Sequence, residues 1–403
     1  MCIRDSCEPV FPSRDLTLTP RQRIVVQRAI AQAHADGDEE LAAQLSADEQ
    51  YPVIQTCAVD GMCQTNCPLH INTGDLVRRL RAEGNSPAWQ GVWDIAAKGW
   101  GPFVSAASLG MDAVHPIPTR ATNTVLGAAR SIVGADRVPL LSKELPAGGR
   151  RRSSGHRRGP VGRPEVVYLP ACVNTMFGSA VPQEETLEFS VLSLLAAAGV
   201  GVTVPQGIEA VCCGTPWKSK GMTTGYATMR RRVVDIMQEA THGGELTVIS
   251  DAVSCSEGFV HELEYEGVTG IRIVDAVQYI ADELLPVLPD LPKLRSAALH
   301  PTCSSTRMSW NDALYRCAQA IVDDVVVADD WGCCGFAGDR GMLHPELTES
   351  ATARETAQLR AREFDVYLSA NRTCEIGMQR ATGKSWRHVL SVLAERMVEF
   401  APA

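Results

Sequence analysis

Two hydrophobic patterns divide the chain. Through residue 145 the apolar positions recur at helical spacing, and no strong strand-like run interrupts them. Residues 20–34 open on Thr19 and Pro20, a side-chain cap followed by a first-turn proline, and Thr73 to Arg81 reads as a second capped, amphipathic helix. From residue 165 the pattern switches to short β-rich runs between helical stretches. EVVYLPAC is followed by a helix near 185–198, then VGVTVP, a helix near 222–240, and LTVISDAVSC. The cycle returns at 296–374 as SAALHPTC, DVVVADDWGCCG, a helix near 346–362 and DVYLSANRTC. Alternation of this kind predicts α/β units on parallel strands, and its return predicts a duplication. A closing helix is expected in each copy, at 271–285 and at 386–398.

Between the two patterns lies PAGGRRRSSGHRRGPVGRP, residues 146–164, with six arginines and no acidic residue among glycine, serine and proline. That composition predicts a linker, and without interleaved aromatic residues it does not read as an RNA-binding arm. The expected layout is a helical module over 7–145, a linker over 146–164, and cysteine-rich repeats over 165–295 and 296–403.

The 403 residues, 45% of them hydrophobic, suffice for two or three domains with real cores. A formal charge of −9 argues against general nucleic-acid binding. Residues 1–15 carry charges and no apolar signal core, which makes the cytoplasm the expected compartment. In a reducing compartment, the 14 cysteines read as metal or redox sites rather than disulfides.

Their spacing repeats. Cys172, Cys212-Cys213-Gly214 and Cys255 are matched by Cys303, Cys333-Cys334-Gly335 and Cys374. In each copy the first and last cysteines are expected to end strands and the pair to sit in a strand-to-helix loop. All four thiols would then meet at one edge of a parallel sheet, where such folds gather their sites. Gly214 and Gly335 are expected to let the backbone approach a bulky inorganic group. Four converging thiolates suit zinc or iron–sulfur chemistry.

Upstream, CAVDGMCQTNCP places Cys57, Cys63 and Cys67 on the ferredoxin spacing C-x2-C-x2-C-x3-C-P, with Asp60 at the second ligand position. In CEPVFP, Cys7 and Pro12 fit the end of a second such run, but Phe11 stands at its last cysteine. An amino-terminally truncated module is expected, with Cys2 outside it. Because paired runs exchange their fourth ligands, Cys67 is expected to join Cys7, and Cys57, Asp60 and Cys63 to hold the other cluster. Cys317, on a helical stretch, reads as a packing residue. GMQRATGKS has five residues between its glycines where a phosphate loop needs four. His300, His344 and His388 lack a nucleophile at a telling spacing, so no hydrolytic site and no catalytic residue is expected.

Through CEPVFPSRDLTLTPRQRI, CAVDGMCQTNCPLHINTGDLVRRLR and the two Cys-Cys-Gly segments, the chain resembles the carboxy-terminal iron–sulfur half of FAD-linked D-lactate dehydrogenases. The Cys-Cys-Gly duplication is also similar to the iron–sulfur subunits of glycolate oxidase and anaerobic glycerol-3-phosphate dehydrogenase, and to heterodisulfide reductase. The resemblance implies an α + α/β fold: an α-helical ferredoxin-like module followed by a duplicated α/β cysteine-rich domain. It implies iron–sulfur clusters, of the [4Fe-4S] type, held by Cys7, Cys57, Asp60, Cys63, Cys67 and the two quartets. FAD would lie in a flavin domain or flavoprotein subunit outside this chain, which then looks like a fragment or a separate subunit. The implied role is passage of electrons from D-lactate or a similar 2-hydroxy acid, through flavin, to a quinone or protein acceptor. The chain alone would be inactive, located in the cytoplasm or peripherally at the inner face of the membrane. Ala252 and Asn371 stand where heterodisulfide reductase has one more cysteine per repeat, which favours a simple four-thiolate site or a three-thiolate site with an open iron. The rival readings are a zinc-stabilised interaction module and a thiol/disulfide reductase.

Overall fold

The computed structural model describes residues 7, 10, 15–157, 165–181 and 183–399. Phe11 and Cys2, which entered the ligand reading, lie outside them.

Among the described residues up to 133, all regular structure is helical. The helix Pro20–Ala35 starts as its sequence predicts, with Thr19 Oγ1 accepting the Gln22 amide at 3.2 Å. The helix Thr73–Gly84 is capped by Asn72, whose Oδ1 takes the Gly74 amide at 2.9 Å. Pro87–Lys98, Trp100–Val114 and Thr119–Val133 complete the helical part.

The remainder carries two parallel sheets. The first is built from β1 (Gly155–Arg157), β2 (Val166–Leu169), β3 (Val202–Val204), β4 (Thr247–Ser250) and β5 (Ile273–Asp275), in the order β1-β3-β2-β4-β5. The second, of β6 (Leu294–Leu299), β7 (Val322–Val326), β8 (Val366–Ser369) and β9 (Trp386–His388), runs β7-β6-β8-β9. Without β1 the two orders are the same, with β2 and β6 in matching places, and every pairing but β1–β3 is parallel. The central strands β2 and β8 are buried at every position, which explains their unbroken apolar runs.

Three sequence expectations change. The arginine-rich segment is not simply a linker, because residues 155–157 pair antiparallel with 202–204 and cover the edge of β3. The matching edge, β7, is instead guarded by exposed Asp323 and Asp324. The closing segments at 271–285 and 386–398 each begin with a three-residue strand before turning helical. Such short, buried strands are masked in sequence by the helical periodicity that follows them. None of the four flanking cysteines ends a strand: Cys172 caps the helix Val173–Met176, Cys303 opens the helix Cys303–Arg307, and Cys255 and Cys374 sit in the first turns of the helices Val253–Tyr265 and Arg372–Thr382.

The ends of β5 and β9 show how burial sets charge. Asp275 Oδ1 accepts the Val277 amide at 2.9 Å, and His388 Nδ1 accepts the Leu390 amide at 3.2 Å, the same turn made by an acid in one copy and a base in the other. Burial raises the Asp275 carboxyl from 3.8 to about 7 and lowers the His388 imidazole from 6.5 to about 3, so both are neutral between. A raised acid binds protons more tightly in the folded chain, so its stabilising effect is complete below pH 3.8 and is lost as pH climbs through 7. His388 acts oppositely, losing stability as pH falls from 6.5 towards 3. Asp275→Asn keeps the turn and removes the charging cost. The variant is expected to melt higher than the parent at pH 8, by about 1–3 kcal/mol, and to match it near pH 4. A parallel pair of melting curves across this range would refute the assignment.

Candidate metal centres

Parallel strands send their carboxy ends to one edge, and the chain leaves each edge through a cysteine-bearing segment. Cys172 follows β2, the pair 212–213 lies between β3 and the helix Thr215–Lys220, and Cys255 follows β4. Cys303, the pair 333–334 and Cys374 hold the same places after β6, β7 and β8. Every one of these thiols is buried except Cys303, which is half-buried, and none is in a disulfide.

Within each copy the thiols form a chain. Cys172 Sγ lies 3.7 Å from Cys212 Sγ, and Cys213 contacts both Cys212 and Cys255. In the second copy Cys333 contacts Cys303, and Cys334 contacts Cys333 and Cys374. The electrostatics repeat as well. Hydrogen bonding from Cys212 and then Cys255 pushes the Cys213 thiol well down, and hydrogen bonding from Cys333 and then Cys374 does the same to Cys334. Hydrogen bonding from its neighbours thus favours the thiolate form at the second cysteine of each pair, and thiolate is the form that binds metal. Four buried, converging thiols with a preferred site of ionisation fit a thiophilic metal centre or an iron–sulfur cluster.

The glycine after each pair serves the backbone. Gly214 and Gly335 have φ of 69° and 68°, and a Cβ on Gly335 would sit 2.9 Å from the Leu347 carbonyl oxygen. On Gly214 it would strike Glu262 and Tyr226. Both hydrogens on the Cβ side face protein, so the positive φ and the tight helix approach account for glycine here.

The two sites adjoin. Asn371 Nδ2 donates to Ser254 Oγ at 2.8 Å, and Ser304 Oγ donates to Glu257 Oε2 at 2.7 Å, so neighbours of Cys374 and Cys303 touch neighbours of Cys255. Arg307 adds the upstream part to this junction, reaching Glu257 Oε1 at 2.9 Å and the Asp60 carbonyl at 3.1 Å.

Upstream, Cys7, Cys57, Cys63 and Cys67 are all buried. Cys7, Cys57 and Cys63 lie around the buried guanidinium of Arg23, whose Nη2 is 3.4 Å from Cys7 Sγ. Burial opposes the Arg23 charge, but the neighbouring Cys57, Cys7 and Cys63 outweigh it and raise its pKa. Asp60 leans towards the second repeat: its Oδ2 is buried without a partner, and its charge adds to the effects of Cys303 and Cys334 that raise the Cys333 thiol. Cys317 packs in the core, with its thiol 3.6 Å from the Val277 carbonyl.

Two residues were not taken as site residues from the sequence, where His300 is weighed only for hydrolysis. Arg23 carries no motif. His300 ends the SAALHP run opposite Leu169 of EVVYLP, and a comparison of the copies for chemical differences would have exposed it. His300 is fully buried, with Nδ1 2.8 Å from Glu355 Oε1.

Residues 166–259 and 297–379 each match the family model described as a cysteine-rich domain (CCG), one match in each repeat. The chain is also similar to the glycolate oxidase iron-sulfur subunit of Escherichia coli (strain K12), with 22% identity over 214 residues. That match takes in 49% of this chain and 51% of the relative, so the chain spans about half the length of the curated relative it matches. No helix among the described residues is long and apolar enough to cross a membrane.

Proposed function

We propose that this chain is the iron–sulfur electron-transfer part of a flavin-linked 2-hydroxy-acid dehydrogenase of the D-lactate type, receiving electrons from FAD in a partner domain or subunit. The observation that carries the reading is the pair of adjoining, buried four-cysteine chains. Iron–sulfur clusters in such sites would supply one-electron transfer, with potentials set by ligands, charge and burial. The protein's own part is to hold thiolates at Cys213 and Cys334, exclude water, and keep the two sites joined through Asn371, Ser254 and Glu257. The relative named as an iron-sulfur subunit of an oxidase supports the same role. The upstream cysteines extend the reading to a ferredoxin-like entry point next to Arg307. The final acceptor is a quinone or a protein, met in the cytoplasm or at the inner membrane face.

The purified chain, loaded with iron and sulfide, is expected not to reduce a dye with D-lactate or glycolate until a flavoprotein partner is added. Turnover by this polypeptide alone would sink the reading. A zinc-stabilised module is the second reading, favoured by the 3.7 Å separation of Cys172 and Cys212, close to the about 3.8 Å edge of a tetrahedral zinc–thiolate site. Brown protein with iron and acid-labile sulfide after anaerobic purification supports the first reading, and colourless protein with zinc the second.

A further inference from the structure

We propose that His300 is a metal ligand of the second repeat, so that the first centre is held by cysteine alone and the second by cysteine together with one imidazole. The inference rests on the iron–sulfur reading above and concerns how the two centres differ.

His300 directly follows β6 and stands three residues before Cys303, at the carboxy end of the strand where the second quartet gathers. A ligand atom of His300 and the sulfurs of Cys334 and Cys374 all lie within 4.8 Å of one another, and all three residues are buried. That spacing admits one metal bonded to all three. The ring's other side is fixed: Nδ1 meets Glu355 Oε1 at 2.8 Å, and Glu355 is itself buried. Nε2 is buried and makes no well-formed hydrogen bond. A carboxylate on one imidazole nitrogen, with the ring packed beside two sulfurs, is the arrangement by which metal-binding histidines are oriented and made more basic. An apolar explanation would put an aliphatic side chain here, as the first repeat does with Leu169.

The metal would take the ring nitrogen that does not face Glu355, and any proton held there would leave to solvent on binding. A neutral imidazole that takes the place of one thiolate of the quartet would lower the negative charge of the centre and raise its potential. The second centre becomes the better electron acceptor of the two, which orders them along the transfer path.

The test uses the full chain, purified anaerobically with natural-abundance and with 15N-labelled histidine, and compared with His300→Leu, the residue of the first repeat, and with His300→Cys. Pulsed electron-paramagnetic spectra of the reduced protein are expected to show a strong nitrogen coupling that changes with 15N-histidine and vanishes in both variants. His300→Cys is expected to retain iron and to shift the second centre to a lower potential. His300→Leu, which leaves the four cysteines and the leucine of the first repeat, is expected to keep its iron and to shift the second centre to a lower potential. Iron in both repeats with no histidine-dependent coupling, and spectra unchanged by either variant, would overturn the inference and leave the electron-transfer reading standing. Absence of iron from the parent chain would overturn both.

Discussion

Cys212→Ser is expected to empty the first centre and leave the second loaded, and Cys333→Ser to do the reverse. The thiol contacts run 172–212–213–255 in one copy and 303–333–334–374 in the other, and among the described residues they meet only through neighbours such as Asn371 and Ser254. Serine keeps the volume but offers a harder oxygen that is poorly suited to iron in a sulfide cluster. It also removes the leading hydrogen bond to Cys213 or Cys334, the bond that most lowers that thiol. Iron and sulfide per chain should fall by one centre's worth in each variant, and the double variant should lose both. The far-ultraviolet circular dichroism should hold, because each sheet has its own buried strands. Loss of all iron from either single variant with the fold intact would mean one shared centre.

The quartets were legible because a parallel sheet converts sequence position into place: a cysteine shortly after each apolar run must arrive at the same edge. What the sequence concealed depends on tertiary packing. β5 and β9, three residues each, carry too few positions for a period of two to stand out from the helices they lead into. The pairing of residues 155–157 could not be seen because an arginine-rich stretch becomes an edge strand only when a neighbouring edge needs covering. Asp60 keeps ferredoxin spacing in sequence, yet its electrostatic effect on Cys333 depends on the docking held by Arg307, 247 residues away. A lone histidine at the end of an apolar run reads as core until Glu355, 55 residues downstream, is known to hold its Nδ1. Arg23 is hidden for the same reason, since only folding brings it among Cys7, Cys57 and Cys63.

Trp217→Ala is expected to produce the largest loss of stability of any single change outside the cysteines. Trp217 lies four residues past Cys213 on the short helix Thr215–Lys220 and is fully buried. Its ring packs edge-on against Trp93 and Trp100, at centroid distances of 6.2 and 4.6 Å, and its Nε1 donates to the Trp93 carbonyl at 2.9 Å. The same helix is held from its far end by upstream donors: Arg81 to the Ser219 carbonyl at 2.7 Å, Asn85 to Lys220 at 2.8 Å and Gln90 to Gly221 at 2.9 Å. One six-residue helix thus joins the helical part of the chain to the loop that carries the first cysteine pair. Truncating a buried tryptophan costs about 3–5 kcal/mol, and here it also removes the indole hydrogen bond to the Trp93 carbonyl. Trp217→Phe restores most of the area without the hydrogen bond and should lose about 1–2 kcal/mol. Melting curves and limited proteolysis between residues 84 and 100 measure the two effects. The alanine variant should be cut faster there and should release iron from the first repeat before the second. Equal iron loss from both repeats, or a melting shift no larger than that of the phenylalanine variant, would show that Trp217 fills space without linking the helical part to the first centre.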